Sequence, residues 1–157
     1  MSKKIPEVLI IGRPNVGKST LLNRIIGKIR AITFDTPGVT RDLLHYSANW
    51  EGKQFFVVDS GGVFFEKSSD FFLQGKIEKL VKRAIERAKK IVFVTECKVG
   101  LTPMDETIAS WLRPYQDKVV LAVNKADPGK KNSNISEFYK LGMGEPFPIS
   151  STHGTGV

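Results

Sequence analysis

The chain has 157 residues, of which 41% are hydrophobic and 25% are charged, a balance typical of one globular domain with a substantial core. Lysine and arginine outnumber aspartate and glutamate by 24 to 16, and the resulting net charge of +8 attracts polyanions such as nucleic acid without identifying a binding site. No segment has the roughly 20 apolar residues of a membrane span, and the single cysteine, Cys97, excludes an intrachain disulfide and a cysteine-rich zinc site. We therefore expect a cytoplasmic protein that does not span a membrane.

Predicted strands and helices alternate along the chain. In order, the hydrophobic patterns predict a strand over 7–11, a helix over 19–26, strands over 44–50 and 54–59 joined by a hairpin turn, a helix over 76–90, a strand over 91–94, a helix from 102 to about 115, a strand over 119–123, a short helix near 135–141 and a strand over 147–150. This order predicts an α/β fold with a doubly wound, mostly parallel six-stranded sheet and one antiparallel strand. Segments 31–42 and 60–75 lack hydrophobic periodicity, and we predict loops there that change with a ligand bound beyond the carboxyl ends of the strands.

The loop after the first strand has the pattern G-x-x-x-x-G-K-S over residues 12–19, between a strand and a helix as a P-loop requires. Glycines let successive backbone N–H groups face phosphates, and the positive end of the following helix dipole favours the same negative charge. We expect Lys18 to contact the β- and γ-phosphates and the Ser19 hydroxyl to bind Mg²⁺. The predicted nucleotide-binding residues of this segment are Gly12, Asn15, Val16, Gly17, Lys18, Ser19 and Thr20.

An acidic residue follows the apolar strand that ends the predicted hairpin. Asp59 opens the sequence Asp-Ser-Gly-Gly, which by itself is common at turns. Downstream of a P-loop, however, the carboxylate can belong to the Mg²⁺ shell and the Gly62 N–H can contact the γ-phosphate. We predict both of these roles.

A third polar segment follows the strand over 119–123. Asn124, Lys125 and Asp127 form the pattern Asn-Lys-x-Asp, and guanine presents two adjacent N–H donors that the Asp127 carboxylate can accept. Adenine lacks that pair of donors. Asn124 can brace the loop, and the aliphatic stem of Lys125 can cover the base or sugar.

The order of these motifs resembles the translation-factor-related P-loop GTPases over essentially the whole chain. More narrowly, the segments 37–42, 100–103 and 142–146 resemble the first G domain of the Der (EngA) family, in the TrmE-Era-EngA group of bacterial GTPases. That family has two tandem G domains and a KH-like domain, and it implies a role in assembly of the large ribosomal subunit, with that subunit or its rRNA as partner through the full-length protein. The resemblance implies that residues 1–157 are a monomeric G domain, the first of two, truncated before its final helix.

The same resemblance assigns roles to further residues. Thr40 corresponds to the threonine that meets Mg²⁺ and the γ-phosphate when GTP is bound, and Ser150 and Ser151 correspond to a second guanine-contacting loop, in which alanine is usual at the position of Ser151. A larger departure is Glu96-Cys97, where the family usually has Asp-Gly, and it leaves the turn at that place in question.

The position that holds a water-orienting glutamine in many GTPases is Val63 here, and an apolar side chain cannot orient water. The carboxamide oxygen of Asn15 is a candidate ligand for a monovalent cation against the phosphates, and the resemblance to potassium-stimulated relatives implies K⁺. The alternative is that Asn15 only tightens the loop. The predicted catalytic residues are Lys18, Thr40, Gly62 and Asn15.

Three function classes fit the motifs to different degrees. The first is a Mg²⁺-dependent GTPase that hydrolyses GTP to GDP and phosphate. The second is a GTP-sensing module that binds RNA or the ribosome but hydrolyses negligibly by itself, and the third is a P-loop kinase or ATPase, which would leave the Asn-Lys-x-Asp segment unexplained. The polar face of the 76–90 helix is mostly basic, and it fits either a solvated surface or a partner-binding one.

Overall fold

In the computed structural model, the described residues are 6–13, 16–18, 20–22, 31–32, 44–50, 52–59, 71–125 and 135–149. The strands are β1 (Glu7–Ile11), β2 (Ala31–Ile32), β3 (Leu44–Trp50), β4 (Lys53–Asp59), β5 (Lys90–Glu96), β6 (Val119–Asn124) and β7 (Phe147–Pro148). The α-helices are α1 (Phe71–Arg87) and α2 (Pro103–Leu112), and 3₁₀ helices span Arg113–Lys118 and Ile135–Leu141. Lys18 and residues 20–22 are also helical. Among the described helices, none is both long and apolar enough to cross a membrane.

The strands form one sheet in the order β2-β3-β4-β1-β5-β6-β7. β3 runs antiparallel to β2 and β4, whereas β4, β1, β5, β6 and β7 pair in parallel. The predicted α/β fold, with a mostly parallel sheet and one antiparallel strand, is therefore confirmed. The sheet has a seventh strand that was not predicted, the two-residue β2. It pairs with β3 at the edge of the sheet, where Ala31 lies opposite Tyr46. It falls inside the segment that we predicted as a loop, because two residues are too few to show strand periodicity.

Buried side chains form a layer on each face of the sheet. On one face, α1 and α2 contribute Val81, Ile85, Ile108 and Leu112, which pack against strand residues such as Phe93. The second layer contains Ile10, Val16, Leu21, Leu22, Tyr46, Val57, Val94, Ala122 and Ile149. Successive side chains of a strand point to opposite faces. Because both faces of the sheet are covered, the last three residues of β1 are all buried. Burial on both faces is the reason that these strands appear in the sequence as short apolar runs instead of alternating patterns.

The bounds of α1 differ from the predicted helix over 76–90. The helix begins at Phe71, within a segment that we predicted to be irregular, and it ends at Arg87. It cannot extend to Lys90, because that residue pairs with Val8 as the first residue of β5 and the Lys89 N–H donates to the Glu7 carbonyl at 2.8 Å. Of the last three residues that helical periodicity assigned to the helix, Lys90 belongs to β5, whereas Ala88 and Lys89 connect the helix to the strand.

The predicted start of α2 is confirmed in detail. Thr102 is the N-cap, Pro103 is in the first turn, and the Thr102 hydroxyl accepts from the Asp105 N–H while the Asp105 carboxylate accepts from the Thr102 N–H. This reciprocal pair is a capping box with aspartate as the acidic member. The α-helix ends at Leu112 and continues as a 3₁₀ helix, since Pro114 has no N–H for the next α-helical hydrogen bond.

The carboxyl ends of the central strands lie at one edge of the sheet. Asp59 ends β4 opposite Ile10, and Glu96 ends β5 opposite Asn124, which ends β6. The chain enters the Gly12 loop from β1 at this same edge. The parallel sheet thus brings together three polar residues and a glycine loop from four separate parts of the sequence.

Candidate functional site

The described part of the glycine loop encloses the Lys18 side chain. The Lys18 ammonium donates to the backbone carbonyls of Gly12 at 2.8 Å and Arg13 at 2.6 Å, and only 6% of the residue is exposed. Gly12 has no room for a side chain, because a Cβ there would lie 2.5 Å from the Val94 carbonyl oxygen. The loop therefore lies directly against β5.

Burial lowers the pKa of Lys18 from 10.5 to about 8. Desolvation is the largest cause, the Asp59 carboxylate offsets part of it, and the Arg13 guanidinium lowers the pKa further. The negative charge near the Lys18 ammonium therefore offsets only part of the cost of burying it. A phosphate oxygen placed beside it would stabilise its charged form.

Asp59 is 9% exposed at the end of β4, close enough to Lys18 to influence its titration. Tyr46, which lies on β3 one strand away, has a pKa raised first by burial and second by the Asp59 charge. The described residues include no group of three or more His, Cys, Asp or Glu side chains that could hold a metal ion by themselves. A single carboxylate beside a phosphate site fits Mg²⁺, which binds one or two carboxylates together with nucleotide phosphates and keeps several waters.

Asn124 joins the end of β6 to the glycine loop. Its Nδ2 donates to the Val16 carbonyl at 2.8 Å, and the side chain is 2% exposed. Gly17 lies against the same amide with φ of +91°, and a Cβ at Gly17 would overlap the Asn124 nitrogen. The Asn124 carbonyl in turn accepts from the Cys97 N–H at 2.9 Å.

Lys125 follows with φ of +60°, a conformation that is uncommon for residues other than glycine. Its ammonium lies 3.2 Å from Glu96 Oε1, and the side chain is 40% exposed. Glu96 also lies 3.4 Å from the Arg13 guanidinium. The turn that the Glu96-Cys97 departure left in question is formed over residues 97–99 and ends at Gly100, whose φ is +79°.

The structure thus brings together Gly12, Val16, Gly17, Lys18, Asp59, Asn124 and Lys125, with Thr20 exposed on the helical turn beyond. The predicted residues Asn15, Ser19, Thr40, Gly62, Asp127, Ser150 and Ser151 lie outside the described residues. Sequence reasoning missed the charged neighbours Arg13 and Asp105, and it considered Glu96 only as part of a turn. Arg13 occupies a variable position of the P-loop pattern, so that no motif singles it out.

A family model described as a 50S ribosome-binding GTPase matches residues 7–125. The chain is 51% identical over 151 residues to the GTPase Der of Aquifex aeolicus, with 96% of this chain and 34% of the relative covered. It is 47% identical over 152 residues to the GTPase Der of Limosilactobacillus fermentum, with 97% and 34% covered. The chain spans about a third of the length of these relatives.

Solved structures of GTPases share the fold. Era in complex with MgGDPNP and nucleotides 1506–1542 of 16S ribosomal RNA is 30% identical with a TM-score of 0.73, and the match covers 98% of this chain and 53% of that one. A point variant of Era from Aquifex aeolicus bound to GDP·AlF₄⁻ is 29% identical with a TM-score of 0.72, and the match covers 97% and 53%. The family model matches well over half of this chain, and the chain therefore belongs to the family of 50S ribosome-binding GTPases.

Proposed function

We propose that this chain is the G domain of a switch protein that binds and hydrolyses GTP, and that it is the first of two G domains in a longer protein. The observation that carries the proposal is the meeting of Lys18, Asp59 and Asn124 at one edge of the sheet. A buried, under-compensated ammonium, a carboxylate and a braced glycine loop are the groups that a magnesium–nucleoside triphosphate requires. Era, a structural neighbour, binds MgGDPNP.

The phosphate end of the nucleotide belongs at the glycine loop. Lys18 contacts the β- and γ-phosphates, while Ser19, Thr40 and Asp59 hold Mg²⁺ through a hydroxyl, a hydroxyl and a carboxylate. The Gly62 N–H meets the γ-phosphate. Lys18, the Gly62 N–H and the Mg²⁺ that the other three residues would hold stabilise negative charge on the phosphoryl group that is transferred to water. That stabilisation is the main catalytic contribution in this class of reaction.

The base end belongs beyond β6. Asp127 accepts from the two N–H groups of guanine, Asn124 holds the segment against the glycine loop, and Lys125 covers the base with its stem. Ser150 and Ser151 contribute a backbone contact to the guanine oxygen. Asp127→Asn should weaken GTP binding strongly and favour xanthine nucleotides, because the amide offers a donor where xanthine has a carbonyl.

The experiment that tests nucleotide class is competition of unlabelled GTP, ATP and XTP against a fluorescent nucleotide, which is GDP for the wild type and XDP for Asp127→Asn. The assignment is supported if the wild type prefers GTP and the variant prefers XTP. Equal competition by ATP and GTP in the wild type, or an unchanged GTP affinity in the variant, would overturn it.

Because Val63 cannot orient water, we propose that hydrolysis uses K⁺ in place of an arginine finger, with Asn15 as a protein ligand of the cation. Single-turnover phosphate release in K⁺ and in Na⁺ at equal ionic strength tests this idea for the wild type and Asn15→Ala. A rate that ignores the cation removes K⁺ from the mechanism, and stimulation that survives in the variant removes only Asn15. Repeating the assay with large ribosomal subunits separates a GTPase from a module that binds GTP but scarcely hydrolyses it.

The proposed partner of the full-length protein is the large ribosomal subunit or its rRNA. A role in the assembly of that subunit would also locate the protein in the cytoplasm. The net charge of +8 supports a polyanionic partner. Co-sedimentation with 50S particles in the presence of GDP or a non-hydrolysable GTP analogue tests the proposal. We expect the nucleotide to change the bound fraction and added salt to reduce it.

A further inference from the structure

Glu96 stands between the two segments that the proposed function assigns to phosphate and to guanine. It is the last residue of β5, and β5 lies between β1, which leads into the glycine loop, and β6, which leads into Asn124 and Lys125. The residue is only 7% exposed. A carboxylate that is buried to this degree is costly unless cations compensate it.

Each oxygen of this carboxylate faces a different cation. Oε2 lies 3.4 Å from Nη2 of Arg13 in the glycine loop, and Oε1 lies 3.2 Å from Nζ of Lys125. A single carboxylate therefore holds two positive charges that belong to segments more than 100 residues apart in sequence. Without its negative charge the two cations would repel each other across a partly desolvated gap.

Arg13 also contacts Lys18 directly, through its backbone. Its backbone carbonyl accepts from the Lys18 ammonium at 2.6 Å, and its side chain is 13% exposed. On the far side, Arg13 Nε lies 3.5 Å from Oδ2 of Asp105, a fully buried residue that also caps α2. The Arg13 guanidinium is consequently paired with a carboxylate on two sides, while its backbone carbonyl is one of the two that accept from Lys18.

We propose that Glu96 is a positioning residue that couples the phosphate-binding loop to the guanine-binding segment through its paired contacts with Arg13 and Lys125. The proposal rests on the function proposed above. Contact of the base with the Lys125 stem then also steadies Arg13 and Lys18, and contact of phosphates with Lys18 steadies Lys125. Such coupling makes the affinity for a whole nucleotide depend on a residue that need not touch it.

The test measures the affinity of the chain for fluorescent GDP after Glu96→Gln, which keeps the size of the side chain and removes its charge. Because this variant no longer attracts either cation, we expect the dissociation constant to rise about 10-fold, which corresponds to about 1.4 kcal/mol. Glu96→Asp retains the charge and should bind within about threefold of the wild type. The matched control is Glu106→Gln on the exposed first turn of α2, which should change the affinity less than twofold.

A double-mutant cycle separates coupling from a loss of folded structure. Arg13→Met and Lys125→Met are combined in chains with and without E96Q, and circular dichroism with urea unfolding identifies the fraction folded in each. We expect the two substitutions to be non-additive by threefold or more when Glu96 is present and additive when it is replaced, because its carboxylate pairs with both of these side chains.

The outcomes are distinct. Wild-type chain that does not bind GDP overturns the proposed function itself. Wild type that binds GDP, together with a folded Glu96→Gln variant of equal affinity, overturns only the positioning role, as does a cycle that is additive with Glu96 present. Glu96→Asp that binds as weakly as Glu96→Gln overturns the role of the charge. Non-additivity that disappears in E96Q, with affinity restored by Glu96→Asp, supports the proposal.

Discussion

The Asn124 side-chain amide donates to the Val16 carbonyl at 2.8 Å, across 108 residues of sequence. This bond joins the end of β6 to the glycine loop, and both residues are almost completely buried. The guanine motif and the phosphate motif are therefore in direct contact. The contact explains why an asparagine, with a donor that a carboxylate lacks, stands at the first position of that motif.

Replacing Asn124 with alanine should weaken both the fold and the site. The Val16 carbonyl would lose a buried partner, and an unsatisfied buried group costs about 1–3 kcal/mol. We expect the free energy of unfolding in urea to fall by about that amount, and GDP affinity to fall at least 10-fold. Ser110→Ala is the matched control, since the Ser110 hydroxyl donates to the Thr107 carbonyl on an exposed surface. A variant as stable as this control would contradict the structural role of Asn124.

Gly17 and Gly52 allow backbone strain to be separated from crowding. Both have positive φ, +91° and +80°, but a Cβ at Gly17 meets Asn124 whereas one at Gly52 meets nothing within 4 Å. Gly52→Ala should cost about 1 kcal/mol in urea unfolding, because only the backbone conformation is unfavourable. Gly17→Ala should cost more and should abolish detectable GDP binding. Equal losses in the two variants would show that crowding against Asn124 is unimportant.

The lowered pKa of Lys18 predicts a pH-dependent stability. In the unfolded chain Lys18 titrates near 10.5 and in the folded chain near 8, so that between these values the unfolded chain binds more protons and stability rises with pH. The buried ammonium destabilises the ligand-free fold by about 3 kcal/mol below pH 8. The free energies of unfolding of the wild type and Lys18→Met are measured in urea at pH 7 and pH 10. Between these two pH values the wild type should gain about 2–3 kcal/mol of stability relative to the variant. A difference that is independent of pH would contradict the shift.

Nucleotide binding should restore the charge on Lys18. Phosphate oxygens favour the ammonium, so that GDP binding at pH 8 should take up a fraction of a proton, and binding at pH 6.5 should take up almost none through this group. Calorimetry in buffers of different ionisation enthalpy measures the uptake directly. Equal uptake at the two pH values would assign the linkage to other groups.

Lys118 stabilises the end of α1 from the other edge of the sheet. Its ammonium donates to the carbonyls of Glu86 at 3.2 Å and Ala88 at 2.7 Å, and it lies over the Tyr115 ring. Cations that bind the last carbonyls of a helix contribute about 1 kcal/mol. Lys118→Met should lower the urea midpoint accordingly while leaving GDP affinity within twofold, and Lys89→Met, at an exposed neighbour, should change neither. Loss of GDP binding in Lys118→Met would show that this edge communicates with the site.

The local sequence was sufficient to predict most elements, because their signals are local. Apolar runs predicted the buried central strands, and Thr102 with Pro103 predicted the start of α2. The P-loop pattern and the Asn-Lys-x-Asp segment predicted one nucleotide site, because each motif follows a strand whose carboxyl end must lie at the same edge of a parallel sheet. The order of these motifs along the chain also indicated the family.

Tertiary structure decided the features that depend on partners far away in sequence. Helical periodicity continues to Lys90, but pairing of that residue with β1 ends α1 at Arg87. Glu96 and Arg13 carry no motif of their own, and their pairing depends on the strand order that places β5 between β1 and β6. A local pattern records only the propensity and face of its own segment, whereas a buried charge is compensated by whichever residues the folded chain brings within a few ångströms of it.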